Sequence, residues 1–132
     1  MTNSDIIEAI PFAGAVGITL TVVTPDEVVG TLAWSPQRTT TGGALHGGAI
    51  MTLADTIAAI CAAVNLPPGA TTTTTASGTV FTRAARAGTI AATSRPLHRG
   101  RSTIVVVTEI RDDADKLVAQ TTQTQAVLIP AT

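Results

Sequence analysis

The sequence is poor in most of the residues that announce a chemistry. Its one cysteine, Cys61, can neither close an intrachain disulfide nor build a cysteine-based zinc site, and a reducing compartment is the simplest reading. Three aromatic residues, Phe12, Phe81 and Trp34, are too few to assign an aryl over an aliphatic ligand pocket. Charged residues make up 13% and the net charge is −1, which argues against nucleic-acid binding through bulk electrostatics. The start, MTNSDIIEAIPF, carries acids early and lacks a basic n-region, so it is not expected to be a secretory signal, and a cytoplasmic protein is expected. The longest apolar stretch, residues 49–64, is short for a membrane span and holds a charge near its middle. No internal repeat or linker breaks the 132 residues, so one domain over 1–132 is expected, burying roughly two-thirds of its unfolded surface. Hydrophobic residues reach 45%, and with so little charge part of the surface is expected to be covered by a partner subunit.

Acids are also missing from one long window. Between Asp55 and Glu109 there is none, while Arg83, Arg86, Arg95, Arg99, Arg101 and His98 all fall there. Arginine forks suit phosphate oxygens. The plainer reading pairs these arginines with Glu109, Asp112, Asp113 and Asp115 across a hairpin, or leaves them solvating an edge.

Ser4 can cap a short helix over 5–10, with Pro11 stopping it. Residues 17–23 and 27–34 are β-rich and joined by the turn signal Thr24-Pro25-Asp26. Residues 35–45 read as a loop containing Gly42 and Gly43. From 49 to 64 the composition is helical and apolar nearly all round, as in a helix wrapped by other elements. Residues 65–69 (NLPPG) break it. Four strands follow, over about 70–82, 88–97, 101–111 and 116–129. The last shows no clear apolar face, and rests on β-propensity and its bounding turn. An α+β arrangement, one antiparallel sheet covering one apolar helix, is the economical architecture.

The helix is entered through Leu45-His46-Gly47-Gly48. Two glycines leave the first-turn N–H groups sterically open, and these have no intrahelical acceptor, so they favour an anion or a developing oxyanion. The same glycines could simply permit a tight turn. Asp55 sits inside the apolar helix, where an unpaired carboxylate is expensive. It is either a structural Asp bonded to backbone or a threonine hydroxyl, or a general base or nucleophile. Eight residues separate it from Gly47, about 12 Å along a helix axis. One helix cannot bring both groups to one carbonyl, but two antiparallel copies can. A functional pairing of the two therefore requires at least a dimer.

These residues resemble the PaaI-like branch of hotdog-fold thioesterases. The resemblance runs through Ile10-Pro11-Phe12, Gly17-Ile18, Gly43-Ala44-Leu45-His46-Gly47-Gly48 and Leu53-Ala54-Asp55. It resumes at 81–88 (FTRAARAG), His98-Arg99-Gly100-Arg101 and Lys116-Leu117-Val118-Ala119. It implies a hotdog fold: a six-stranded antiparallel sheet wrapped around one long central helix, in dimers joined edge to edge that often pair into tetramers. It implies acyl-CoA hydrolysis, with Asp55 attacking the thioester or activating water and the Gly47 N–H of the other subunit polarising the carbonyl. His46 either contacts substrate or caps the loop, and Gly48 lines the same entry. The Asn often found six residues before the histidine is Thr40 here, and the usual proline after the strand arginine is Ala84. Thr73, Thr74 and Ser77 lie where the family supplies a hydroxyl, and Arg83, Arg99 and Arg101 are candidates for the CoA phosphates. No metal and no cofactor beyond the CoA carried by the substrate is expected. Cys61 reads as core, and Trp34 as core or interface. Two other functions compete, an enoyl-CoA hydratase or dehydratase and a non-catalytic acyl-CoA binder. The first needs a histidine and an acid converging on the substrate, and His98, in the Arg-rich turn, disfavours it. The second has no evident use for Asp55.

Overall fold

A computed structural model describes residues 1–131. The chain opens with two short helices, α1 (Asn3–Glu8) and α2 (Pro11–Val16), followed by strands β1 (Thr19–Val23) and β2 (Val28–Ala33). A loop with one 3-10 turn, Pro36–Arg38, leads into the long helix α3 (Gly47–Ala63). Strands β3 (Thr71–Phe81), β4 (Thr89–Arg99), β5 (Thr103–Arg111) and β6 (Leu117–Leu128) complete it. The six strands form one antiparallel sheet in the order β1-β2-β4-β5-β6-β3. This is the hotdog architecture expected from the resemblance. No helix among the described residues is long and apolar enough to cross a membrane.

The N-terminal helix starts differently from the expectation. Thr2, not Ser4, is the cap: its hydroxyl accepts the Asp5 N–H at 3.1 Å, while the Asp5 carboxylate accepts the Thr2 N–H at 2.8 Å. A reciprocal box needs an acid or amide three residues after the cap. Thr2 has Asp5 there, whereas Ser4 has Ile7. Pro11 does not end the helical region but begins α2 at its first turn, where its missing N–H costs nothing. Gly17, left-handed at φ 96°, closes α2.

The sheet wraps α3. Leu53, Ala54, Ile57, Ala58 and Cys61 have no exposure, and they meet Val28, Leu32, Ile90, Ala92, Ile104, Val106 and Ile110 of the sheet. Gly30 is where the helix comes closest to β2. A Cβ there would collide with the Ile57 side chain, so the absent side chain sets the spacing between layers. The weak alternation of β6 has a structural cause. The middle of its inward face is polar: Thr121, Gln123 and Gln125 are at most 1% exposed, between buried Ala119 and Val127. Inward residues of β4 and β5 are mainly aliphatic, with one buried Ser94–Thr108 hydroxyl pair at 2.6 Å. Polarity is concentrated under the β3–β6 side of the helix.

Candidate active site

The loop before α3 is fastened at several points. Trp34 Nε1 donates to the Gly43 carbonyl at 2.9 Å and Arg86 Nη1 to that of Gly42 at 2.7 Å. The Leu45 N–H reaches Ala85 O at 2.8 Å, and the His46 N–H reaches Arg38 O at 2.8 Å. Arg38 is itself held through its side chain to Val16 O and Ala33 O. Trp34 thus sits partly buried as a clamp on the loop, within the core-or-interface reading. Thr40 is exposed and closes the Gly42–Gly43 turn through its backbone.

His46 is the N-cap of α3, and its Nδ1 accepts the Gly48 N–H at 2.8 Å. Between the two sequence readings the geometry is that of a cap, though it serves a backbone N–H rather than loop carbonyls. The Ala49 and Ile50 N–H groups turn back to His46 O. Among the described residues no acceptor takes the Gly47 N–H, and the Phe81 ring lies beside this glycine. The helix entry therefore holds one open donor at its positive end. Gly48 is required by the cap, because a Cβ there would lie 2.9 Å from His46 Nδ1. A groove of about 740 Å³ beside this entry is lined by Phe12, Arg38, His46, Gly48 and Thr52 among others.

Asp55 was expected in a dry interior. In the isolated chain it is exposed, because the sheet wraps only part of α3 and leaves a stripe open. That stripe carries Gly48, Met51 (44% exposed) and Asp55 at helical spacing. Asp55 Oδ1 accepts a hydrogen bond from Gln123 Nε2 at 3.0 Å. The same Nε2 donates to Thr74 Oγ1 at 3.1 Å, and Gln125 Nε2 donates to Thr74 Oγ1 at 2.6 Å. Ser77 Oγ donates to Gln123 Oε1 at 3.2 Å, and the Thr72 hydroxyl lies 2.8 Å from Ala126 O and 3.1 Å from Gln125 Oε1. Gln123 and Gln125 were missed from sequence. The signal was there: two amides at alternate positions of a strand whose polar face was read only as weak alternation.

Five consecutive threonines hide which hydroxyl matters, and the fold separates them. Thr72 and Thr74 reach the glutamines, so Thr73 points to the opposite face. The register of β3 against β6 slips between Thr74 and Ala76, a bulge at Thr75. The extra residue reverses the parity, so Ser77 and Thr79 lie inward where an unbroken strand would present 76 and 78. Asp55 and the Gly47 N–H share α3, with about 12 Å of helix axis between them.

The arginines do not converge. Arg83 lies at the Arg111/Leu117 end of the sheet and pairs with Asp112 at 3.2 Å. The Lys116 N–H, the Ala114 N–H and then Arg83 hold the Asp112 carboxyl below its usual range. Arg99 and Arg101 flank the β4–β5 turn at the other end, where Arg99 pairs with Asp26 at 2.7 Å and Arg95 with Glu27 at 3.0 Å. The window looked acid-free because two of its partners come from the β1–β2 turn, far away in sequence. Arg101 is exposed and forms no ion pair among the described residues. His98 lies with this second group, away from the helix entry. Cys61 is buried in the core, its thiol pushed up to about 11 by burial. Among the described residues no cluster of His, Cys, Asp and Glu could hold a metal ion.

A second groove, about 440 Å³, begins one helical turn past Asp55. It is lined almost entirely by aliphatic groups, including Ile6, Ile10, Ala59, Ile60, Ala63 and Val64.

Comparison with known proteins places these features in a family. The profile described as the thioesterase superfamily matches residues 42–119. The candidate esterase Rv1847 of Mycobacterium tuberculosis is 30% identical over 114 residues, 84% of this chain and 81% of that protein. Its solved structure superposes with a TM-score of 0.87 at 28% identity, covering 92% of this chain and 99% of that one. The thioesterase HI1161 of Haemophilus influenzae has the same fold, with a TM-score of 0.92 at 24% identity over 98% of this chain and 92% of that one.

Proposed function

This chain belongs to the thioesterase superfamily, and we propose that within it the protein hydrolyses acyl-CoA thioesters to the free acid and CoA. The observation that carries this reading is an unclaimed N–H at Gly47, at the entry of the helix whose open stripe carries the Asp55 carboxylate. In the proposed reaction Asp55 takes a proton from water, and the hydroxide adds to the thioester carbonyl carbon. The Gly47 N–H stabilises the oxyanion, where one such donor is worth roughly 3 kcal/mol of barrier. Collapse of the intermediate expels the CoA sulfur. Direct attack by Asp55, through an anhydride that water then opens, uses the same two groups.

Because the two groups are about 12 Å apart on one helix, we place the site between two subunits. The open stripe of α3 supports this, as does β3, an 11-residue edge strand with Val80 and Phe81 exposed. An edge of this length presents unpaired backbone groups to a partner. Edge-to-edge dimers, further pairing into tetramers, membership of the PaaI-like branch and a cytoplasmic location all belong to this same reading.

Thr74 is the hydroxyl we assign beside the site. Its oxygen accepts both glutamine amides, which leaves its own proton free to donate to water or substrate. The apolar groove beyond Asp55 fits an aliphatic acyl group, and either Arg83 at one end of the sheet or Arg99 and Arg101 at the other are proposed for the CoA phosphates. The surface ion pairs of Arg83 and Arg99 are weak enough to exchange, and Arg101 has none among the described residues. Thiol release from a panel of aryl- and fatty-acyl-CoAs tests the reading. Hydrolysis that falls at least about 100-fold in a folded Asp55→Asn variant supports it. Loss of enoyl absorbance without thiol release, or tight binding without turnover, would replace it with a hydratase or a binder.

A further inference from the structure

The inward face of β6 poses a question that the fold does not answer. A strand packed under a helix is ordinarily lined with aliphatic residues, as β5 is by Ile104, Val106 and Ile110. At the corresponding depth β6 places Gln123 and Gln125, both with no exposure. Nothing about closing the core calls for two primary amides there.

We infer that Gln123 is a positioning residue for Asp55, an inference that rests on the reading of Asp55 as the catalytic carboxylate. The bonding of Gln123 is complete. Its two amide hydrogens go to Asp55 Oδ1 at 3.0 Å and Thr74 Oγ1 at 3.1 Å, and its carbonyl accepts from Ser77 at 3.2 Å. The orientation of the amide is dictated by chemistry, since an ionised carboxylate only accepts and must therefore face the NH₂ end. Ser77 and Thr74 fix both ends of the amide, and Gln125 Nε2 also donates to Thr74.

This network grips one oxygen of a side chain that would otherwise turn freely on an open helix face. Oδ1 is held, and Oδ2 takes no hydrogen bond among the described residues, which leaves it as the atom able to take a proton or attack a carbonyl. The Thr75 bulge is part of the device, because it brings Thr74 and Ser77 to the same face, one at each end of the amide. A rigid strand thereby orients a group that its own helix does not.

The test uses the full chain. Gln123→Met keeps the length and volume of the side chain and removes both donors. With the acyl-CoA that the enzyme turns over best, kcat is expected to fall about 10- to 100-fold while KM changes less than about threefold, as for a misplaced reacting group. In an Asp55→Asn background the same change is expected to have no further effect, because the two residues act as one unit. Wild-type kcat in a folded Gln123→Met protein, alongside a collapsed Asp55→Asn, overturns the positioning role and leaves the assignment of Asp55 standing. An active Asp55→Asn overturns both. Should Gln123→Met fail to fold, the side-chain amide resonances of Gln123 in the wild-type protein decide. A downfield, slowly exchanging amide proton that shifts upfield in Asp55→Asn supports the inference, and a fast-exchanging pair indifferent to that substitution refutes it.

Discussion

Replacing Gly47 by proline would delete one N–H from the proposed site and almost nothing else. Gly47 is the first residue of α3, the position where proline is best tolerated, and its N–H holds no internal partner to lose. The preceding residue, His46, is already extended with ψ 134°, the region toward which proline pushes its neighbour. A Cβ at 47 would meet the Phe81 ring at 3.4 Å, an ordinary contact. The variant is therefore expected to fold and to lose about 10²- to 10³-fold in kcat, the value of one oxyanion donor. Mixed with Asp55→Asn, it tests where the site lies. If each site takes Gly47 from one subunit and Asp55 from the other, a heterodimer has one site with both defects and one with neither. Random exchange of equal amounts makes about half the dimers mixed, each with one of two sites intact, so about half of a half, or a quarter, of wild-type activity returns. The parents alone are expected at about 1% or less. Thiol release is measured before and after subunit exchange, with differently tagged subunits to isolate the mixed species. Isolated heterodimers no more active than the parents would refute the shared site, and the catalytic groups would then have to be sought elsewhere within one chain.

Gly48→Ala forces a Cβ to 2.9 Å from His46 Nδ1 and should displace the capping imidazole, costing about 1 kcal/mol, read as a fall of a few degrees in Tm. Arg99→Ala and Arg101→Ala should raise KM for CoA esters and lower its salt sensitivity, with less effect on thioesters lacking the nucleotide. Equal loss on both substrate types would instead indicate a folding role. Cys61 supplies a pH prediction. Its folded thiol is raised to about 11, so the stability it contributes is complete below the ordinary value of 9.0 and is lost as pH rises through 9 toward 11. The loss should approach roughly 2–3 kcal/mol in denaturation midpoints at constant ionic strength, and it should vanish in Cys61→Ala.

The main elements were legible because their signals are local. A helix of Ala, Ile, Leu and Met without Gly or Pro, bounded by NLPPG, can be little else, and the β-rich runs and their turns lie close to the observed strands. Boundaries failed where two local rules competed. Ser4 and Thr2 are both good caps, and only the reciprocal acid at Asp5 decides between them. Pro11 lies past the end of α1 and begins α2, and a sequence reader sees a helix stop there more readily than a start.

By itself the sequence determined the glycine entry, the lone carboxylate eight residues beyond it and the impossibility of one helix joining them, since all three follow from spacing along one element. Tertiary structure alone decided the rest. It showed that His46 takes the Gly48 N–H and leaves that of Gly47 open, that Asp55 stands on an uncovered stripe, and that the acid-free arginine window finds partners in Asp26 and Glu27. It also brought Thr74, one of five consecutive threonines, to the amides of Gln123 and Gln125, and Gln123 to Asp55 across 68 residues. The physical reason is the antiparallel sheet: which side chains face one another depends on register, and one bulged residue at Thr75 reverses the face of everything beyond it.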